Sequence, residues 1–271
     1  MLLTFSAFYG ILYKEEFSQG GFKMILTSPE MIDISRLRMI AFDLDGTLTQ
    51  HRTPLDDRNR AVLDTLSKKY RILMVGAGQG MRIFNQLQGY PVDILGNYGL
   101  QYSKYNTETK SLDVIRDTVL HCDCERAAKN IEILRREYGF TEFAGESIEF
   151  HPSGAITFPI LGKSAKIEDK LAFDPDRSRR RPMYARVKEL FPEYTVFIGG
   201  SSSFDLVPAP HDKYYALATL CANEGYSHDE VLYVGDDYGV GGNDEAVAKS
   251  DIAFVTIDDY TKLCERLAFL L

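Results

Sequence analysis

From residue 38 onward the chain alternates between two textures. Short apolar runs end in glycine or acidic residues, and longer stretches between them carry apolar positions three and four apart. Arg38–Leu44 is mostly apolar and closes on acidic residues and Gly46, which predicts a strand buried on both faces. Leu55–Lys69 sets Leu55, Val62, Leu63 and Leu66 among charges and predicts an amphipathic helix. Arg71–Val75 predicts a second strand, broken by Gly76, Gly78 and Gly80 and followed by a helix through Leu87. Val92–Leu95 predicts a third strand. Alternation of this kind predicts a doubly wound parallel sheet with helices on both faces.

After about residue 100 the pattern changes. Gln101–Leu112 and Glu146–Phe158 predict hairpins, the second with Ile148, Phe150, Ile156 and Phe158 arranged around a Pro152-Ser153-Gly154 turn. Cys124–Tyr138 and Pro182–Leu190 predict helices. Parallel-sheet texture then returns: helix Lys213–Glu224, strand Val231–Val234, helix Asn243–Lys249, strand Ile252–Val255 and helix Tyr260–Phe269. The expected fold is therefore α/β, with an inserted α+β cap. The expected boundaries are an N-terminal extension at 1–30, a core at 31–103 and 210–271, and the cap at 104–209.

Composition narrows the function classes. The chain has 271 residues, with 31 Lys+Arg against 39 Asp+Glu and a net charge of −8. That balance disfavours nonspecific nucleic-acid binding, which needs a cationic surface. No apolar run approaches the roughly 18–20 residues that would cross a bilayer. Cys122 and Cys124 stand one residue apart, unlike a zinc knuckle, so with His121 beside them they read as free thiols of a cytoplasmic protein. Leu2–Tyr13 is apolar but lacks a positive n-region and a small-residue cleavage site. An upstream extension or an early start codon, with Met24, Met31 or Met39 as later starts, is expected there in preference to a signal peptide.

The chemistry concentrates at two strand ends. Phe42-Asp43-Leu44-Asp45-Gly46-Thr47-Leu48 closes the first strand, and ligands of open α/β sheets bind outside the carboxyl ends of strands. Two carboxylates two residues apart can divide labour, one attacking phosphorus and the other moving a proton. Val231–Val234 ends in Gly235-Asp236-Asp237, followed by Gly241-Gly242-Asn243-Asp244. Carboxylates at two neighbouring strand ends form a cage for a hard divalent cation such as Mg²⁺. Lys213 opens a helix between them and could neutralise a phosphate and hold the attacking carboxylate.

In these motifs the sequence resembles the haloacid dehalogenase (HAD) superfamily of phosphoryl-transfer enzymes. The resemblance implies Asp43 as the nucleophile and Asp45 as the general acid/base. It further implies Mg²⁺ held by Asp43, the Asp45 backbone carbonyl and Asp236, with Asp244 in support. Over roughly residues 38–265 the chain is similar to the capped, subclass IIB family of eukaryotic-type phosphomannomutases. Val75-Gly76, Ile148-Glu149-Phe150, Ile198-Gly199-Gly200 and Ser203-Phe204-Asp205 join the motifs above in carrying that likeness. It implies that Ser203 and Asp205 bind sugar hydroxyls, that Arg52 contacts ligand phosphate, and that a homodimer forms through the cap.

The sequence also departs from that family. Positions of the family's cap arginines fall on His151, Lys163 and Lys170, and lysine lacks arginine's planar two-pronged grip. Gly78 stands where the second motif offers a serine, so backbone amides of the glycine loop are expected to meet the phosphate. A weaker distal grip favours hydrolysis. The readings left are a phosphomannomutase acting on a hexose phosphate, a sugar-phosphate phosphatase, and a non-catalytic sugar-phosphate sensor. Gly76-x-Gly78-x-Gly80 follows the second strand with the wrong spacing for a dinucleotide fingerprint. Arg177–Arg181 is expected to be a solvated helix entrance, and Tyr214, Tyr215 and Tyr233 to pack in the core.

Overall fold

The structure, a computed structural model, describes residues 28–271. The expected readings of Leu2–Tyr13 and Met24, and most of the 1–30 extension, lie outside the described residues.

A seven-stranded sheet forms the larger layer. Its parallel part comprises β1 (Met39–Phe42), β2 (Arg71–Val75), β3 (Asp93–Gly96), and two later strands, β10 (Val231–Gly235) and β11 (Ala253–Thr256). Two antiparallel strands, β4 (Gln101–Asn106) and β5 (Ser111–Asp117), extend it beyond β3. The order is β11-β10-β1-β2-β3-β4-β5. Successive side chains of β1 explain the two-sided burial. Ile40 and Phe42 join one core with Leu63 and Leu66 of α1 (Asp57–Leu66) and Ile83 of α2 (Gly80–Gln86). Met39 and Ala41 join the opposite core with Leu217 and Leu220 of α6 (Lys213–Glu224). The doubly wound core expected from the sequence is thus present.

A second, four-stranded antiparallel sheet runs β6-β7-β9-β8, from β6 (Glu149–Phe150), β7 (Ile156–Pro159), β8 (Tyr194–Phe197) and β9 (Ser203–Pro208). It packs on α3 (Cys124–Glu137) and α5 (Arg181–Leu190) through Ile131, Leu134, Met183, Val187, Phe158 and Phe204. A small seam joins the two bodies, with Tyr98 and Leu100 on the core side and Phe197 and Val207 on the cap side. The Tyr98 and Phe197 rings stack 4.5 Å apart and 4° from parallel.

Several details differ from expectation. The expected cap boundary at 104 falls inside β4; the hairpin pairs with β3, so the larger sheet continues to Asp117. Period-2 patterning signals strands but not which sheet they join, and that choice was taken here by hydrogen bonding to β3. The expected helix Asn243–Lys249 is the short α7 (Glu245–Ala248), and Tyr260–Phe269 divides into a 3-10 turn and α8 (Leu263–Arg266). Helix α4 (Ile167–Phe173) and strands β8 and β9 had no counterpart in the sequence reading.

Candidate active site

The chain leaves β1 for β2 and β3 on one side, and places β10 and β11 on the other. The switch in direction lies between β1 and β10, where open α/β sheets form their ligand crevice. Phe42 is paired with Val234, and the Asp43 amide donates to the Val234 carbonyl at 2.9 Å, so Asp43 and Asp236 emerge side by side. Gly46, at φ +96°, turns the chain beneath Asp236; a Cβ there would lie 2.3 Å from Asp236 Oδ2. Thr47 Oγ1 donates to Asp236 Oδ1 at 2.9 Å.

Asp212 caps α6 by accepting from the Tyr215 amide, which puts Lys213 at the first helical position with 0% of its side chain exposed. A cation at a helix N-terminus is unfavourable by itself. Three oxygens surrounding Nζ offset this: Asp43 Oδ1 at 2.6 Å, Asp244 Oδ1 at 2.7 Å and Asn243 Oδ1 at 2.6 Å. Asp244 also accepts from Tyr233 Oη at 2.6 Å and from the Asp236 and Asp237 amides at 3.1 and 3.0 Å. Tyr233 packs against Phe254 as expected, and in addition its hydroxyl is a partner of the site.

Burial pushes the Asp43 carboxyl well above its ordinary value, Lys213 opposing and Asp244 and Asp236 adding. Asp236 is pushed up to about 6, by burial and then by Asp244. Burial acts to lower Lys213, but Asp244 and Asp43 hold it above its ordinary value. With all three carboxylates ionised, the buried and half-buried groups around one ammonium carry a net charge of −2, which is costly without a counter-ion or a bound proton.

A divalent cation fits that deficit. One oxygen from each of Asp43, Asp236 and Asp244 lies within 4.8 Å of the others, an all-oxygen donor set suited to a hard ion. Both Asp244 oxygens already accept two protein donors each, so Asp244 supports the cage, and Asp43 and Asp236 are left to meet the ion.

The Asp45 carboxylate stands outside this group of three. Its Oδ1 accepts from the Arg52 amide at 2.7 Å and Gln86 Nε2 at 2.6 Å, while Arg82 Nη2 and His51 Nδ1 lie 3.7 and 4.0 Å from Oδ2. Arg52 reaches it through its backbone, at φ +58°. Gly78 lies at the carboxyl end of β2, and the Arg82 guanidinium lies across it. A Cβ on Gly78 would be 2.2 Å from Arg82 Nε.

On the cap side, Asp205 is brought to the seam. It accepts from Tyr98 Oη at 3.2 Å and from Thr157 Oγ1 at 3.3 Å, and His151 Nε2 sits 3.0 Å from the same Thr157 oxygen. Because Thr157 donates to Asp205, His151 must donate through Nε2. Ser203 Oγ donates to the Gly199 carbonyl at 3.1 Å. Lys163 and Lys170 are not brought to this network. Lys163 Nζ pairs with Glu146 and Glu149 at 3.2 and 3.4 Å, and Lys170 Nζ donates to the Lys163 carbonyl at 2.8 Å. Acidic neighbours on the cap's own surface take the Lys163 charge, and a backbone carbonyl takes the Lys170 ammonium.

Arg177–Arg181 leads into α5 with Ser178, Arg179 and Arg181 exposed as expected, but Arg177 and Arg180 are drawn inward. Arg180 is 1% exposed, paired with Asp174 at 2.7 Å and donating to the Gly199 and Ser203 carbonyls. Arg177, at φ +61°, reaches from the cap to grip both oxygens of Asp237, one at 2.8 Å. In the sequence Arg177 is legible only as one of a basic run in the insert; its partner Asp237 is chosen by the fold. Gln86, Thr157, Tyr98 and Arg82 carried no such signal, since only the fold brings them to the site.

Comparison with known proteins places the chain by family and by fold. The family described as eukaryotic phosphomannomutase matches residues 59–268, starting downstream of Asp43 and Asp45. A Saccharomyces cerevisiae phosphomannomutase is 28% identical over 217 residues, covering 76% of this chain and 83% of the yeast protein. A haloacid dehalogenase-like hydrolase from Bacteroides thetaiotaomicron superposes with a TM-score of 0.51 at 17% identity, covering 86% of this chain and 98% of that one. An IMP-bound Plasmodium falciparum IMP-nucleotidase superposes at 0.64 and 15% identity, over 86% and 68% of the two chains. These structures share the HAD fold.

Proposed function

The chain belongs to the eukaryotic phosphomannomutase family, and from that premise we propose that it transfers a phosphoryl group on a hexose phosphate through Asp43. The observation that carries the reading is the cage at the β1–β10 switch, where a buried carboxylate, a buried ammonium and a second strand-end carboxylate converge. Asp43 is aimed by Lys213 on Oδ1 and is buried enough for attack on phosphorus to occur away from bulk water. Asp45, held by Gln86 and the Arg52 amide, takes the proton from the incoming nucleophile and returns one to the leaving oxygen. Mg²⁺, when bound, supplies charge neutralisation for the transferring phosphoryl group, held by Asp43, Asp236 and the Asp45 backbone carbonyl with Asp244 behind them.

In the mutase reading, the phosphoryl group returns to another hydroxyl of the sugar. Ser203, Asp205 and His151 would orient the sugar at the seam, and Arg52 would meet its phosphate. The engagement of Lys163 and Lys170 elsewhere in the cap favours a second reading, hydrolysis, because the distal phosphate then loses two cations. A cap spanning 118–209, a homodimer through the cap and a cytoplasmic location complete the proposal. The exposed Ile167 and Leu171 of α4 support the dimer, and four free cysteines support the compartment.

The deciding experiment supplies mannose 1-phosphate, a hexose 1,6-bisphosphate and Mg²⁺. Mannose 6-phosphate as the product supports the mutase; stoichiometric inorganic phosphate supports the phosphatase. Neither product from the wild-type chain refutes both.

A further inference from the structure

Arg82 lies on α2, four residues after Gly78 and one turn into the helix that follows β2. Its guanidinium covers the Gly78 backbone so closely that any side chain at 78 would overlap it: Nε and Nη2 are each 2.2 Å from the position a Cβ would take. A side chain at 78 would displace this flexible guanidinium from the place it takes over the glycine. The same guanidinium lies 3.7 Å from Asp45 Oδ2, and Nη1 donates to Gln86 Oε1 at 2.9 Å, the residue whose amide holds Asp45.

A phosphoryl group entering this crevice meets mostly negative charge. Lys213 is buried and committed to three oxygens, and Arg177 is committed to both oxygens of Asp237. Arg82 is differently placed. One amino group is engaged by a neutral amide, Nη2 stands 3.7 Å from Asp45 Oδ2, Nε lies over the bare Gly78 backbone, and the side chain is partly solvent-exposed. A planar fork of N–H donors at the mouth of a site matches the geometry of phosphate oxygens.

We propose that Arg82 binds the phosphoryl group delivered to Asp43, and that Gly78 is glycine because the guanidinium needs its space. The proposal rests on the phosphoryl-transfer reading above. It makes Arg82 a cation for the reacting phosphate in a chain with no hydroxyl at position 78.

Beryllofluoride with Mg²⁺ is the probe, since it mimics a phosphoryl group on an aspartate. Its half-saturating concentration is read from the thermal shift it produces, alongside kcat in the mannose 1-phosphate assay. The variants are Arg82→Gln, Arg82→Lys, Gly78→Ala and the double Gly78→Ala/Arg82→Gln. R82Q is expected to weaken the adduct and kcat by about 10²-fold, the usual cost of one electrostatic donor. R82K should fall between R82Q and wild type. G78A, which adds only a methyl group, should evict the guanidinium and reproduce the R82Q loss. The double variant should then be no worse than either single, because both remove one contact. An adduct within about twofold of wild type in either single variant overturns the proposal, as does a double variant showing the two losses multiplied. Wild-type protein that forms no adduct overturns the phosphoryl-transfer reading itself, and the proposal with it. If R82Q does not fold, G78A and R82K carry the same comparison.

Discussion

Replacing Lys213 by methionine removes the charge while nearly preserving the volume. In the wild-type chain Nζ is buried and within 2.7 Å of Asp43, Asp244 and Asn243. Without it, the cage loses its one positive charge against three carboxyl groups, and the Asp43 and Asp244 oxygens lose their shared donor. Breaking a buried pair by deleting one partner costs about 3–5 kcal/mol, because the partner left behind stays desolvated and uncompensated. At about 2–4 °C per kcal/mol for a chain of this size class, the expected fall in Tm is about 6–20 °C in metal-free buffer. A divalent cation should restore part of it, and Mg²⁺ should raise the Tm of K213M by more than it raises that of wild type. The assay is calorimetry of both proteins with chelator and with Mg²⁺, followed by kcat, which should fall by at least about 10²-fold. A variant that melts within about 2 °C of wild type in chelator would show that the ammonium does not compensate the cage, refuting the charge argument.

Other perturbations test separate parts of the site. Gly46→Ala places a methyl group 2.3 Å from Asp236 Oδ2 at a left-handed φ, so it should abolish turnover and weaken Mg²⁺ binding while far-UV circular dichroism stays native. Arg177→Gln removes the fork that joins the cap to Asp237; the ratio of inorganic phosphate to sugar product should rise as water gains access, and an unchanged ratio would deny the pair a role in closure. Burial holds the Asp205 carboxyl above its ordinary value, so the folded state binds its proton more tightly than the unfolded chain does. Its contribution is favourable at low pH and is lost as pH rises through the folded value, and Asp205→Asn should flatten that part of the stability–pH curve in denaturant titrations. Removing metal with a chelator should stop turnover, and added Mg²⁺ should restore it.

The parts of the site readable in the sequence were those that lie on one strand end or one short loop. Asp43 and Asp45 follow the four-residue apolar run Met39–Phe42, and Asp236 follows Val231–Val234 and Gly235, so both are legible as strand-end carboxylates from local pattern alone. Lys213 was legible only through its company, since nothing local distinguishes a buried lysine from a solvated one. The residues that escaped reading are those whose role depends on tertiary approach. Arg82 matters because Gly78 is bare, Gln86 because α2 passes Asp45, and Arg177 because a cap loop faces Asp237. The hairpin expected over Gln101–Leu112 runs on to Asp117 and joins the larger sheet instead of the cap for the same reason: alternation marks a strand, while its partner is chosen by long-range pairing. Lys163 and Lys170 show the converse, charges that the position suggested for phosphate and that neighbouring carboxylates and carbonyls engage instead.

The claim beneath all of this is that the Asp43 carboxylate becomes covalently phosphorylated. The direct measurement is an acid-quenched reaction with hexose 1,6-bisphosphate carrying ³²P in its phosphates, followed by proteolysis and peptide mapping. The account requires label on the peptide containing Asp43, released by hydroxylamine as an acyl phosphate and missing from Asp43→Asn. Turnover at the wild-type rate by Asp43→Asn, or label settling on a different peptide, would contradict it.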